Sequence, residues 1–440
     1  MIIPKKNSVM RVLFISEELG AAELALKLKS EGNDVKLYIH LDELRDCLNG
    51  LIEKTDHWKN ELNWVGKDGL IVFDDVGYGI EQDQLRKDGY RVVGGSAAGD
   101  RIEEDREYGQ TILRQCGIQT LPCHNFENAD EAIVFVKDHM NDLWVVKKNG
   151  GHISHYCYVP DDKSANRDTI GLLERYSALG FKNINLQKKA QGVEIGIGRY
   201  FNGNDWVGPI EINIEHKGLF PGDVGPKTPE MGTLIWYEKD ENSRLFIETL
   251  GKMKEYLHSI DFRGDIDLSC FVSEQEIWPL EFTARFGNPA TALQIELQNS
   301  PWTEFLSALA DGVSYDLDCK EGVGVVVTLA VPPFPYYFTQ PSSESSVGFP
   351  VVFSDTLSRE DMQHYYFEEI NRIDSFGYSV AGARGCVMHV GAVGENIKKA
   401  RDLVYERIGK VHIPKMFYRD DIGLDFEKRG RELLKKWNWI

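Results

Sequence analysis

The sequence predicts an α/β protein whose N-terminal part folds as a parallel, doubly wound sheet. Short apolar strands alternate with helical stretches there, a pattern typical of such sheets. The predicted strands are Arg11–Ser16, Asp34–Ile39, Lys67–Asp75 and Tyr90–Val93, and the predicted helices between them are Ala21–Ser30 and Ile80–Asp88. The third strand ends in Asp74 and Asp75, at the edge where such sheets bind ligands. The alternative is that these two acids begin a solvated loop.

Composition narrows the class of protein. The chain has 440 residues, of which 42% are hydrophobic and 27% are charged, so the length favours about two to four domains. A net charge of −19 argues against a nucleic-acid partner bound through bulk charge. Seven cysteines without a CxxC pair favour reduced thiols in a cytoplasmic protein. We expect no contact with a membrane, because no apolar run reaches the roughly 18 residues of a span. We also expect no signal peptide, because the start MIIPKKNSVM lacks a long apolar core.

The stretch Trp278–Thr291, with the sequence WPLEFTARFGNPAT, is a candidate for part of the functional site. With a period of two, Glu281, Thr283 and Arg285 share one face and apolar side chains share the other. A carboxylate, a hydroxyl and a guanidinium on one face could hold a metal and an anion together. The plain alternative is an amphipathic strand with a solvated, salt-bridging face.

The preceding strand, Arg263–Val272, carries Asp265 and Asp267 on one face. If it pairs with the next strand as a hairpin, these acids converge with Glu281. Clustered carboxylates favour Mg²⁺, which takes oxygen ligands. The alternative is a pair of surface acids.

A second candidate begins at the strand Leu143–Lys147, which closes an apolar run with a lysine. Burying that charge is costly unless an anion compensates. The glycine turn Lys148–His152 and a strand Tyr156–Val159 follow, and such a hairpin could fold over a phosphate chain, although this signal is weak alone. His152 and His155 are interpreted as loop histidines rather than metal ligands.

The segment His216–Thr233 contains four glycines and three prolines in eighteen residues, and we expect neither helix nor strand in it. A long polar loop inside a compact domain is usually a functional lid or disordered. Its side chains suit contacts with anions and amines, and the candidates are His216, Lys217, Asp223, Lys227 and Thr228.

Elsewhere the pattern predicts further regular elements. They include single helices at Asp100–Cys116 and Phe246–Ile260, strands at Ile184–Lys188, Ile195–Phe201, Trp206–Ile214 and Cys386–Val390, a last region that begins at Glu321–Val331, a helix at Glu395–Ile408 and a helical tail at Leu424–Ile440.

Three segments of the chain together resemble one family, the ATP-grasp ligases of the phosphoribosylamine–glycine ligase type. The loop HKGLFPGDVGPKTPEMG is similar to the family's D-H-K followed by G-D-x-G-P-N-T-G-G-M-G, at identical spacing. The strand LEFTARFGNP is similar to L-E-F-N-x-R-F-G-D-P, and MFYRDDIG at Met416–Gly423 is similar to y-R-R-D-I-G. The resemblance runs from about Arg11 to Gly423.

The resemblance implies an ATP-grasp fold with an N-terminal doubly wound parallel-sheet domain and a small C-terminal α+β domain. The expected limits are 10–115 for the N-terminal domain, 116–190 for the lid subdomain, 191–318 for the catalytic subdomain, 319–425 for the C-terminal domain and 426–440 for the tail.

The resemblance also implies the reaction. A ligase of this type joins a small-molecule carboxylate to an amine through an acyl phosphate, with ATP and Mg²⁺ (or Mn²⁺), as a monomer or homodimer. Such chemistry relies on positioning and charge neutralisation. The implied cofactor-binding residues are Lys147, Gln187, Lys188 and Glu194, the metal ligands are Glu281, Asp267 and Thr283, the catalytic residues are Arg285 and Asp223, and the substrate contacts are His216, Lys217, Lys227 and Thr228.

The chain departs from the family pattern in several places. The two segments at the family's phosphoribosylamine site, here Glu18–Glu23 and Asp74–Gly79, are acidic and would repel a phosphate. His152–Tyr156 replaces the family's A-A-G-K-G, and Thr283 replaces an asparagine. Two alternatives therefore stay open: a true phosphoribosylamine–glycine ligase of purine biosynthesis, and a degenerate nucleotide-binding protein without catalysis.

Overall fold

The computed structural model describes residues 9–148, 157–160, 162–336, 345–373 and 377–440. None of the helices in this part of the chain combines the length and apolar character that a bilayer crossing requires. Of the predicted glycine turn Lys148–His152, only Lys148 belongs to the described residues. Residues 149–156, which include His152 and His155, lie outside them.

The N-terminal domain is the predicted parallel sheet. Its five strands, in the spatial order β3-β2-β1-β4-β5, all run parallel. They are β1 (Arg11–Ser16), β2 (Asp34–Ile39), β3 (Glu53–Lys54), β4 (Leu70–Phe73) and β5 (Arg91–Val93), with helices α1 (Ala22–Ser30), α2 (Leu62–Val65) and α3 (Gly79–Lys87). The predicted bounds of β1 and β2 are confirmed to the residue. The third predicted strand, Lys67–Asp75, is shorter at both ends in the structure. Just beyond its C-terminal end, the Asp74 side chain accepts hydrogen bonds from the Ser16 hydroxyl and the Ala21 amide.

The single helix predicted over Asp100–Cys116 is wrong. The structure has two helices, α4 (Ala97–Glu104) and α5 (Arg106–Gln115), separated by Asp105 in an extended conformation. The Asp105 side chain accepts a hydrogen bond from the Tyr108 amide at 3.0 Å, so it caps α5. This cap places Arg106 at the first position of the new helix.

The region predicted as the lid subdomain contains a three-stranded antiparallel sheet in the order β6-β8-β7, covered by two helices. Its elements are β6 (Cys123–Asn128), α6 (Ala129–Asp138), β7 (Trp144–Lys148), α7 (Arg167–Ala178) and β8 (Lys182–Lys188). Trp144, Val146, Ile184 and Leu186 face the helices in one apolar cluster. The alternate residues of β7 and β8 therefore face the opposite side.

The largest sheet has eight strands in the order β15-β14-β9-β10-β13-β16-β21-β18. They are β9 (Val193–Asn202), β10 (Trp206–Glu215), β13 (Gly232–Glu238), β14 (Arg263–Val272), β15 (Ile277–Thr283), β16 (Val323–Ala330), β18 (Tyr365–Phe367) and β21 (Cys386–Gly394). Helices α10 (Ala290–Leu297) and α11 (Trp302–Asp311) pack against it. The predicted hairpin of β14 with β15 is confirmed.

Two further predictions of local structure are wrong. The segment predicted as irregular contains a small hairpin of β11 (Gly218–Phe220) and β12 (Val224–Lys227), closed by positive φ angles at Gly222 and Asp223. The single helix predicted over Phe246–Ile260 is divided into α8 (Arg244–Glu248), a 3₁₀ turn and α9 (Lys254–Ser259). Thr249 leaves helical geometry, with φ −125° and ψ −106°, and its hydroxyl donates to the Leu245 carbonyl.

The C-terminal part adds a four-stranded sheet in the order β19-β20-β17-β22 and two helices. Its elements are β17 (Pro350–Phe353), β19 (Ile370–Ile373), β20 (Gly377–Val380), α12 (Ile397–Ile408), β22 (Val411–His412) and α13 (Arg431–Lys436). The predicted helical tail is present, and the Trp439 indole N–H donates to the Ser273 carbonyl at 2.7 Å. The end of the chain is thereby tied to the β14–β15 hairpin.

Candidate nucleotide and substrate site

The front face of β14 and β15 carries the three predicted metal ligands. Asp267 pairs directly with Thr283 across the two strands, and Glu281 pairs with Ser269 two positions further along. Burial alternates as predicted: Phe282, Ala284 and Phe286 are buried behind the strand, whereas Glu281, Thr283 and Arg285 are partly exposed in front. These three predicted ligands therefore lie close together on one face of the β14–β15 hairpin, which we call the metal wall.

Asp267 is held by a residue that the sequence patterns did not single out. The Asn213 side chain, on β10, donates to Asp267 Oδ2 at 2.7 Å. The strand β9 lies between them, and its residues there are Gly196 and Gly198. A Cβ on Gly196 would lie 2.0 Å from Asn213 Oδ1, so only glycine leaves room for this bridge. The alternating glycines of IGIG were the available signal in the sequence.

Asp267 has an oxygen available for a ligand. Its Oδ1 is buried and has no hydrogen-bond partner in the described structure. Burial, together with Glu215, raises the pKa of Asp267 to about 8. A divalent cation beside this carboxylate would compensate the buried charge and favour the ionised form.

Glu281 lies among cations from three segments of the chain. Arg106, from α5, donates to its Oε2 at 3.1 Å, and Lys217 donates to its Oε1 at 3.1 Å. Lys217, Arg106 and Lys147 together hold the pKa of Glu281 well below its usual range. Glu281 therefore stays ionised. Arg106 was missed by the sequence analysis, because a single predicted helix gave that position no special role.

Lys147 and Gln187 lie on the side of the lid that faces Glu281. The space between this side of the lid and Glu281 is the cleft. Both lie on the face of β7 and β8 opposite the apolar cluster, since Val145 pairs with Gln187 and Lys147 with Asn185. Burial and the nearby Arg106 lower the pKa of Lys147 to about 8, while Glu281 opposes the shift. Gln187 is buried, and its Nε2 has no partner in the described structure.

The two remaining predicted nucleotide contacts differ in position. Lys188 lies on the other face of β8, and its Nζ pairs with Asp142 at 2.7 Å. Glu194 lies on β9 and is accessible to solvent. The surrounding protein, Glu215 and Glu281 raise the pKa of Glu194. Lys188 is therefore turned away from Gln187, whereas Glu194 shares the electrostatic environment of Glu281 and Lys217.

The loop residues divide into two groups. Lys217 points into the cleft, where it pairs with Glu215 at 2.7 Å as well as with Glu281. Thr228 is buried, and both its amide and its hydroxyl donate to the Lys217 carbonyl. Lys227 is exposed and lies 3.4 Å from Asp223.

Asp223 and His216 hold the loop against the C-terminal part of the chain. Arg419 donates to Asp223 at 2.7 Å, and the Gly423 amide donates to His216 Nε2 at 3.0 Å. Lys227 and Arg419 lower the pKa of Asp223 although burial opposes them. The catalytic role of Asp223 and the substrate contact of His216 stay predictions, beside the structural contacts observed here.

Arg285 faces the N-terminal domain. Its Nε lies 3.2 Å from Glu103 and 3.4 Å from Asp75. These acids and Glu18 raise the pKa of Arg285 against the effect of burial. The guanidinium is therefore surrounded by carboxylates at the carboxyl edge of the parallel sheet.

Asp265 lies apart from the metal wall. The Gln294 side chain donates to Asp265 at 2.8 Å and to Glu211 at 3.1 Å. This buried hydrogen-bonded group satisfies Asp265. Asp267 is thus the acid of β14 available to a metal.

The residues present fit a magnesium–nucleotide complex. The orphaned Asp267 oxygen, the Thr283 hydroxyl and the ionised Glu281 are hard oxygen donors of the kind that Mg²⁺ takes. Lys147, Arg106 and Lys217 provide positive charge beside them for phosphates.

The hydrogen bond from Asn213 to Asp267, which crosses Gly196, leads to a stability prediction. Gly196→Ala should lower the free energy of unfolding by about 1–3 kcal/mol, because the added methyl overlaps Asn213. It should also weaken Mg²⁺-dependent nucleotide binding. Urea titration and calorimetry would measure both effects. Gly171→Ala is the control, since a Cβ there meets nothing within 4 Å; an equal loss in both variants would refute the argument.

The His216 contact leads to a pH prediction. Burial, reinforced by Arg419, lowers the pKa of His216 to about 4, whereas the unfolded pKa is about 6.5. The unfolded chain therefore takes up this proton first as the pH falls. Stability should drop through this window, by at most about 3 kcal/mol.

His216→Gln keeps an acceptor for the Gly423 amide but does not titrate. Its stability should depend less on pH than that of the wild type. Urea unfolding between about pH 7 and about pH 4.5 tests this expectation. His57→Gln, at an exposed histidine, should keep the wild-type dependence. Identical pH profiles for the wild type and His216→Gln would contradict the assignment.

Comparison with known proteins finds relatives of the same kind as the sequence motifs indicated. Residues 104–291 match the family model described as phosphoribosylglycinamide synthetase, ATP-grasp (A) domain. The phosphoribosylamine–glycine ligase of Clostridium acetobutylicum is 23% identical over 396 residues, which cover 86% of this chain and 89% of that protein. The corresponding ligase of Caldanaerobacter subterraneus is 21% identical over 445 residues, covering 95% of this chain and 100% of that protein.

Solved structures show the same fold. The phosphoribosylamine–glycine ligase of Thermotoga maritima has a TM-score of 0.70 at 20% identity, covering 94% of this chain and 100% of that one. The biotin carboxylase of Campylobacter jejuni has a TM-score of 0.64 at 11% identity, covering 98% and 97%. The predicted fold class is confirmed: this chain has an ATP-grasp fold and resembles phosphoribosylamine–glycine ligase.

Proposed function

We propose that this protein is an ATP- and Mg²⁺-dependent carboxylate–amine ligase that forms an amide bond through an acyl phosphate and releases ADP. The observation that carries the proposal is the convergence on Glu281 of Arg106 and Lys217, with Lys147 acting on it from the lid. Beside them lie the paired Asp267 and Thr283. A wall of oxygen donors next to three cations suits a nucleotide triphosphate chain and its metal.

The reaction needs few covalent contributions from the protein. ATP phosphorylates the carboxylate, and the amine then attacks the acyl phosphate and displaces phosphate. Lys147, Arg106 and Lys217 would hold and neutralise the phosphoryl oxygens, and Glu281, Asp267 and Thr283 would hold the metal. Mg²⁺, when bound, screens the phosphate charges during transfer. Electrostatic positioning of this kind is the main source of catalysis in phosphoryl transfer.

Gln187 and Glu194 are proposed to bind the nucleoside part of ATP. The unpartnered Nε2 of Gln187 is a buried donor on the cleft face of the lid, where it supports a hydrogen bond to a base. Glu194, on β9, is an exposed acceptor for a ribose hydroxyl. Lys188 can contact the nucleotide only if its ion pair with Asp142 opens, because its ammonium group is bound to that carboxylate.

The amine substrate is proposed to be free of phosphate. Arg285 is a cation at the carboxyl edge of the N-terminal sheet, and it is already surrounded by Glu103, Asp75 and Glu18. A phosphate there would face these carboxylates, whereas a cationic amine would be attracted to them. This arrangement favours a ligase of the same reaction type with an amine other than phosphoribosylamine, in a cytoplasmic monomer or homodimer.

The substrate is tested by ADP formation. The full chain is mixed with ATP, Mg²⁺ and pairs of carboxylates and amines, including glycine with phosphoribosylamine. We expect turnover with a cationic amine. Turnover with phosphoribosylamine, together with rescue of a purine-requiring strain, would instead assign the protein to purine biosynthesis. ATP binding without ADP formation for every pair would favour a degenerate nucleotide-binding protein.

Glu281 gives the sharpest test of the site. Glu281→Gln should lower the rate of ADP formation about 100-fold, because a charged ligand facing the transferred phosphoryl group is lost. The fold should persist, since Arg106 and Lys217 can still bond the amide oxygen. Glu276→Gln, an exposed acid in the turn of the same hairpin, is the control. Wild-type turnover in Glu281→Gln at saturating Mg²⁺ would overturn the metal assignment.

A further inference from the structure

A second cluster of metal-binding side chains lies in the C-terminal part of the chain. Glu368, Cys386 and His389 each present a ligand atom, and the three atoms lie within 4.8 Å of one another. His389 Nε2 is 2.8 Å from Glu368 Oε2, and Cys386 Sγ is 3.2 Å from the same oxygen. None of the three belongs to the nucleotide site described above.

The backbone has an irregularity that brings these side chains together. Cys386 and His389 are three residues apart on β21, so a regular strand would point them to opposite faces. The pairing with β16 skips Val387, passing from Leu329–Met388 to Ala330–Cys386. A bulge of this kind re-aims the side chains on either side of it. The amides of Glu368 and Glu369 both donate to the Val387 carbonyl, which fixes the third ligand beside the bulge.

The donor set has a specific chemical preference. A cysteine sulfur, an imidazole nitrogen and one carboxylate oxygen are typical ligands of Zn²⁺, whereas Mg²⁺ and Ca²⁺ take oxygen ligands alone. The other ring nitrogen of His389 lies 3.1 Å from the Thr328 hydroxyl. A hydrogen-bonded second nitrogen is the usual arrangement for a metal-bound histidine, because it fixes the orientation of the ring.

Further buried carboxylates lie around the cluster. Glu23 and Glu369 are 3% and 0% exposed, and one oxygen of each is buried without a hydrogen-bond partner in the described structure. Glu23 acts electrostatically on Glu368, and Glu369 is its neighbour in the chain. The nearby Arg384 is engaged by Glu18 and Glu43. Buried carboxylates in such an arrangement favour a bound cation.

We propose that Glu368, Cys386 and His389 bind one Zn²⁺ ion, separate from the Mg²⁺ of the nucleotide site. The three protein ligands leave a fourth position for water. The ion would join β21 to the turn after β18. It would also fix Asn288, whose Nδ2 lies 3.3 Å from Glu368 Oε2, and thereby connect the C-terminal part to the segment that follows Arg285.

Cobalt substitution tests the proposal. The full chain is freed of metal with a chelator, saturated with Mg²⁺ and titrated with Co²⁺. A thiolate–Co²⁺ charge-transfer band should grow to about one equivalent per chain, and added Zn²⁺ should abolish it. Co²⁺ in the nucleotide site has oxygen ligands and gives no such band. Absence of the band in the wild-type chain would overturn the proposal.

Substitution of the cysteine assigns the site. Cys386→Ser should lose the band and weaken Zn²⁺ binding at least about 10-fold. Cys116→Ser, at the half-buried cysteine that ends α5, should keep both. Circular dichroism confirms that the variants are folded, and the wild-type titration decides the question if Cys386→Ser is not. A band that survives in folded Cys386→Ser would refute the assignment.

Discussion

Charge compensation around Glu281 is the interaction on which the candidate site depends. Glu281 lies on β15, an edge strand of the largest sheet. Arg106 begins α5, and Lys217 precedes the β11–β12 hairpin. A carboxylate in such a cleft is stable as an anion only if cations are held close to it. The same contacts therefore order three separate segments and gather positive charge where phosphates are proposed to bind.

The second constraint is steric and comes from β9. Asn213 and Asp267 lie on the two strands that flank β9, and their hydrogen bond crosses that strand above Gly196 and Gly198. The bond fixes one Asp267 oxygen and leaves the other without a partner. The glycines of β9 thus leave room for a hydrogen bond between side chains of the two neighbouring strands, β10 and β14.

The local sequence pattern was sufficient to predict most strands, but it did not show where two of the predicted helices are interrupted. The bounds of β1, β2 and β14 agree with the sequence to the residue, because period and composition define a strand locally. The helices predicted over Asp100–Cys116 and Phe246–Ile260 are broken, since Asp105 and Thr249 make side-chain hydrogen bonds that compete with the helix. The glycines and prolines of the substrate loop concealed the hairpin that Asp223 and Arg419 stabilise.

The sequence alone determined the α/β pattern of the N-terminal part and the alternating face with Glu281, Thr283 and Arg285, because both rest on residue type and spacing. Resemblance to a known family supplied the ATP-grasp fold and the nucleotide chemistry. Tertiary structure decided which of these groups meet. It paired Asp267 with Thr283, assigned Asp265 to Gln294, added Arg106 and Asn213, and turned Arg285 towards acids of the N-terminal domain. Strand order and register bring these side chains together, and they come from contacts between residues distant in sequence, which a local pattern does not contain.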